Sequence, residues 1–119
     1  MFGSKTVLVV DGNAYHGLDL CSAIEERDGC VAGPVASVVD AVSILESETI
    51  SAAVVDWDDC ELAGPDVVLL LAERNIPMAI LSAKALPSLL SQLEPCITFL
   101  VKPVDTALLL DALLIQMDS

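Results

Sequence analysis

At 119 residues the chain has room for one domain around one core, and its 55% hydrophobic against 19% charged residues exclude a disordered segment. Eighteen acidic against five basic residues give a formal net charge of -13, which repels phosphate backbones and excludes direct nucleic-acid binding. The longest apolar run, Val67 to Ala72, falls far short of the roughly 18 residues a bilayer span needs, and Met1 to Thr6 carries no secretory pattern. A cytoplasmic protein that does not enter a membrane, with proteins or cations as partners, is therefore expected.

Along the chain, apolar runs of strand length alternate with stretches of helical period. Thr6 to Val10 reads as the first strand, and Leu18, Cys21 and Ile24 then recur at helical spacing. Cys30 to Gly33 is the second strand. Ser37 is a good N-cap for the helix marked by Val38, Ala41, Val42 and Leu45. Ala52 to Val55 is the third strand, followed by a helix carrying Val68, Leu71 and Ala72. Pro77 then opens a fourth strand, Met78 to Leu81. Thr98 to Val101 is the fifth, and Asp105 caps a last helix running to Met117. That helix places Leu110, Leu113, Leu114 and Met117 on one stripe, with Leu108 and Leu109 widening it into a surface for a partner.

Continuous apolar strands suit a sheet buried on both faces. Right-handed crossovers and strict alternation then predict a doubly wound, five-stranded parallel α/β sheet of order 2-1-3-4-5, flanked by five helices. The cysteines Cys21, Cys30, Cys60 and Cys96 lie far apart with no CxxC pair, so reduced thiols packed as small apolar side chains are expected.

In such sheets ligands bind beyond the carboxyl ends of the strands. VLVV runs into Asp11, AAVV into Asp56, MAIL into Ser82 and TFLV into Lys102, so two carboxylates, a hydroxyl and an ammonium should share one edge. Two facing carboxylates repel, and a bound Mg2+ together with the Lys102 ammonium would keep both ionised.

The segments VLVVDGN, VVDWDD, AILSA and LVKP, in this order, resemble the receiver domain of two-component response regulators across nearly the whole of residues 1–119, in its short stand-alone form. The resemblance implies a phosphorelay module in which Asp56 accepts a phosphoryl group from a histidine kinase or phosphotransfer protein. Lys102 would pair with the phosphoryl oxygens, Ser82 and Phe99 would act as switch residues, and the Lys102–Pro103 peptide bond would be cis. A downstream protein would read the change, so the chain is expected to be a signalling module and not an enzyme.

One position departs from the family. Its first strand usually ends in two acidic residues, whereas here Gly12 follows Asp11. The metal set is then Asp11 and Asp56, with Asp58 as a candidate substitute, and Mg2+ affinity should be weak. Asp58 and Asp59 either restore the lost charge or form a solvated acidic loop, the reading favoured here. His16 is taken as a surface spectator, and Trp57 either caps the core or meets a partner. Two functions stay open: a phosphoacceptor receiver, or a degenerate receiver that docks on proteins without phosphorylation. The apolar last helix suggests a homodimer.

Overall fold

The computed structural model describes residues 2–58, 64–83, 97–103 and 105–117. Five strands, β1 (Thr6–Val10), β2 (Cys30–Val35), β3 (Ala52–Asp56), β4 (Met78–Ser82) and β5 (Ile97–Val101), form one parallel sheet of order β2-β1-β3-β4-β5. Helices α1 (Ala14–Glu26), α2 (Val38–Ser47), α3 (Gly64–Glu73) and α4 (Thr106–Met117) flank it. Topology and strand positions match the expectation from the alternation. Four of the five expected helices are seen, and the remaining one would fall between β4 and β5 at residues 84–96, outside the described residues.

Every residue of β3 and β4 is buried, and so are Val7 to Val10 of β1. The pleat sends alternate side chains to opposite layers. Leu8, Val10, Ala53, Val55 and Ile80 meet Ala41 and Leu45 of α2 and Val67, Val68 and Leu71 of α3. Val7, Val9, Val54, Ala79 and Leu81 meet Leu20, Cys21 and Ile24 of α1 and Leu109, Leu110 and Leu113 of α4. Each of these Val, Leu and Ile side chains contributes on the order of 1.5–3 kcal/mol, enough together to fix the register of a sheet whose slip by one residue would exchange its faces.

Three local expectations are corrected. In α1 the sheet-facing positions are Gly17, Leu20, Cys21 and Ile24, so Leu18 lies one step off the stripe and is 56% exposed. In α4 Leu109 joins the core, while Leu108 and Ile115 are the large exposed side chains. Cys30, at the start of an edge strand, is exposed and not packed; Cys21 is buried, and Cys60 and Cys96 lie outside the described residues. Both expected caps form: Ser37 Oγ accepts from Asp40 N at 3.2 Å, and Asp105 Oδ1 accepts from Ala107 N at 2.8 Å.

Two glycines bring α1 down onto the sheet. Gly33 has φ +102°, and a Cβ there would stand 2.6 Å from the Val9 carbonyl oxygen, where the β1–β2 register shifts. That irregularity presents Pro34 to Gly17, whose own Cβ would lie 2.8 Å from the Pro34 ring. Only a residue without a side chain lets α1 approach so closely. Among the described residues no helix is long and apolar enough to cross a membrane.

Candidate phosphoryl and cation site

The register decides what gathers at the carboxyl edge. Val10 pairs with Val55, so Asp11 follows β1 beside Asp56, the last residue of β3. Ser82 pairs with Val101, so Lys102 follows at the adjoining strand end. Asp11, Asp56 and Ser82 are the buried polar residues of the described chain, at 3%, 0% and 0% exposure. Their position at the sheet's rim puts them in a low-dielectric setting where charge pairing matters most.

Lys102 Nζ reaches both oxygens of Asp56, at 2.9 Å and 2.8 Å. The Asp58 backbone N–H donates to Asp56 Oδ1 at 3.1 Å. Asp58 itself is not the solvated loop residue expected. Its Oδ1 accepts from the Ser82 hydroxyl at 2.8 Å, its Oδ2 accepts from Ala83 N at 2.7 Å, and Lys102 Nζ stands 3.5 Å away. The Ala83 N–H, helped by Ser82 and Lys102, holds the Asp58 carboxyl below its ordinary value against the opposing effect of burial. Asp59 lies outside the described residues.

His16 is the residue that the sequence reading missed. Asn13 caps α1, its side chain accepting from His16 N at 3.1 Å, and this turns the third helical residue back over the end of β1. His16 Nδ1 contacts Asp11 Oδ2 directly and lies 3.4 Å from Asp56 Oδ2. One donor atom each from Asp11, His16 and Asp56 lie within 4.8 Å of one another. Two carboxylates at that spacing suit a divalent cation. Asp58 faces Ser82 and Ala83 and is not one of this group. Gly12 is exposed and offers no side-chain ligand.

Burial pushes the Asp11 carboxyl above its ordinary value of 3.8; the neighbouring Asp56 adds to the rise, while Asn13 N–H and His16 oppose it. Because the folded value exceeds the unfolded one, the folded chain binds this proton more tightly. Stability is therefore lost as pH rises from the unfolded value of 3.8 through the raised folded value, and the loss is complete above it. In metal-free buffer Asp11→Asn should accordingly unfold at higher urea than the parent at pH 7. Urea titrations at pH 7 and pH 3 check this, the advantage disappearing at the lower pH.

Phe99 on β5 is half-buried against the α2 and α3 layer, as is Trp57 just past Asp56. The Lys102–Pro103 peptide bond is cis, as the resemblance implied, and Gly33–Pro34 is cis as well.

No protein-family model matches the sequence, and neither does any curated protein. Solved structures do. A response regulator receiver protein from Sinorhizobium medicae shares 23% identity over 100% of this chain and 98% of its own, with a TM-score of 0.81. A response regulator from Thermotoga maritima gives 22%, 98%, 99% and 0.76 in the same order. The receiver domain of a sensor histidine kinase from Pseudomonas aeruginosa, solved with magnesium coordinated in its active-site cleft, gives 22%, 98%, 99% and 0.79. With matching strand order and near-complete coverage in both directions, these likenesses establish that the chain has the fold of response-regulator receiver domains.

Proposed function

We propose that this chain is a phosphoacceptor receiver of two-component phosphorelay signalling, phosphorylated on Asp56 and acting by docking on another protein. The observation that carries the reading is the setting of Asp56: fully buried at a strand end, gripped through both oxygens by Lys102, and beside a second buried carboxylate. An Asp56 oxygen attacks the phosphorus of a phosphohistidine on a histidine kinase or phosphotransfer protein. A P–O bond forms, the P–N bond breaks, and the imidazole nitrogen keeps the electron pair. Lys102 stands where it can turn to the arriving phosphoryl oxygens.

Ser82 begins the cycle donating to Asp58. Reaching the phosphoryl group means exchanging that bond for one to a more highly charged acceptor, which moves the ends of β3 and β4 and carries the change to half-buried Phe99. Asp58 thus acts as the resting holder of Ser82. Asp11 and Asp56 would hold a Mg2+ ion, which when bound offsets the negative charge of the phosphoryl oxygens. The cycle turns over no external substrate, so the chain is a switch in the cytoplasm and not an enzyme. Incubation with a small phosphodonor and Mg2+, followed by mass spectrometry, tests the reading: an added phosphoryl group on Asp56 supports it.

Gly12 favours a second reading, a degenerate receiver that docks without phosphorylation, because the carboxylate next to Asp11 is missing. Gly12→Asp should then tighten Mg2+ binding by roughly tenfold. Calorimetric titration of the two proteins checks it, and equal affinities would mean that Gly12 costs nothing. Val101, Leu108 and Ile115, exposed by 58%, 59% and 71% on β5 and α4, suit an isologous contact with a second copy. Sedimentation at high micromolar concentration should show a dimer that Leu108→Glu abolishes.

A further inference from the structure

The cation site has a donor whose chemistry differs from that of an oxygen-only magnesium site. We infer that His16 Nδ1 is a metal ligand, making Asp11, Asp56 and His16 a two-carboxylate, one-imidazole centre that selects transition-metal dications such as Mn2+ and Zn2+ over Mg2+. Ligand atoms about 2.1 Å from a dication stand about 3.0–3.4 Å apart, and His16 Nδ1 lies 3.4 Å from Asp56 Oδ2 while touching Asp11 Oδ2. The three donor atoms lie within 4.8 Å of one another, so small side-chain rotations that part His16 Nδ1 from Asp11 Oδ2 would set them around one ion.

The convergence is built in by the fold. The Asn13 cap fixes the first turn of α1, and the Gly17–Pro34 approach sets that turn close over the end of β1, with Asp11 Cβ 3.7 Å from where a Gly17 Cβ would be. The imidazole remains 37% exposed, so an ion has a route from solvent. Mg2+ demands oxygen ligands and near-octahedral order, whereas neutral imidazole suits borderline metals. Gly12 contributes no side-chain oxygen, so the nitrogen decides the selectivity.

This inference rests on the reading of the edge as a cation-assisted phosphoryl site, and one set of measurements separates the two. His16 is the sole histidine of the chain, so its imidazole 15N resonances report on this residue alone. Zn2+ titration of the 15N-labelled protein should shift the Nδ1 resonance strongly, and Mg2+ should not. Mn2+ should bind roughly a hundredfold more tightly than Mg2+, with His16→Ala losing roughly tenfold or more of the Mn2+ affinity and little of that for Mg2+. Zn2+ binding that leaves the His16 resonances unmoved, or undiminished Mn2+ affinity in His16→Ala, overturns the inference. Phosphorylation of Asp56 without a 15N shift discards the imidazole ligand and keeps the receiver; a shift in a chain that never accepts phosphate keeps the metal centre and discards the receiver.

Discussion

Asp56→Asn is expected to abolish aspartyl phosphate formation and, with it, the response of Trp57 fluorescence to beryllofluoride and Mg2+. The amide keeps the shape of the side chain but cannot form the acyl phosphate, and it withdraws the charge that Lys102 grips at 2.8 Å and 2.9 Å. Trp57 is the single tryptophan. Its indole is half-buried against the α2 and α3 layer, and its backbone N–H donates to the Leu81 carbonyl at 2.9 Å, one residue before Ser82. If Ser82 leaves Asp58 for a phosphoryl analogue, the ends of β3 and β4 should shift together, and the indole's surroundings with them. Mg2+ alone leaves Ser82 on Asp58 and should change the signal less. A ligand moves a switch only by binding its two states unequally. Proven beryllofluoride binding with a silent Trp57 would therefore mean a site that fills without switching, and no binding at high Mg2+ would point to the degenerate docking module.

The strand ends were legible because each polar residue of interest follows an unbroken apolar run, and a buried parallel sheet fixes both the register and the edge where such residues emerge. Asp11, Asp56, Ser82 and Lys102 are brought together for that reason. His16 was not legible, because its place over β1 depends on three separate features: the Asn13 cap, the left-handed Gly33 and the Gly17–Pro34 approach. The one visible signal was Asn13 at a helix start with histidine three residues on, a spacing that returns the side chain toward the strand end. Asp58 was misread for a similar reason. An acidic residue after a strand looks solvated until the neighbouring strand supplies the Ser82 hydroxyl and the Ala83 N–H as donors. Leu18 and Leu109 show the limit of periodicity, since a phase error of one residue exchanges a core position for an exposed one.

Lys102→Met should destabilise the metal-free protein by roughly 2–4 kcal/mol. Asp56 has no exposed surface, and Asp11 and Asp58 add negative charge nearby, so removing the ammonium leaves a buried carboxylate close to two others, with the His16 imidazole as a basic neighbour among the described residues. Methionine keeps most of the aliphatic stem, and Lys102 is itself only 27% exposed, so lost packing is a minor part of the cost. Asp56→Asn in the same chain removes the charge that Lys102 had balanced, and the double variant should recover most of the lost stability. The two changes are thus strongly non-additive, as expected for partners in one charge pair. A divalent cation should also restore stability to Lys102→Met, since it supplies positive charge between Asp11 and Asp56. Urea unfolding followed by Trp57 fluorescence, with and without Mn2+, measures all four corners of the cycle. A cost below about 0.5 kcal/mol for Lys102→Met, within the range of an ordinary surface change, would show that the Asp56 carboxylate does not depend on this lysine.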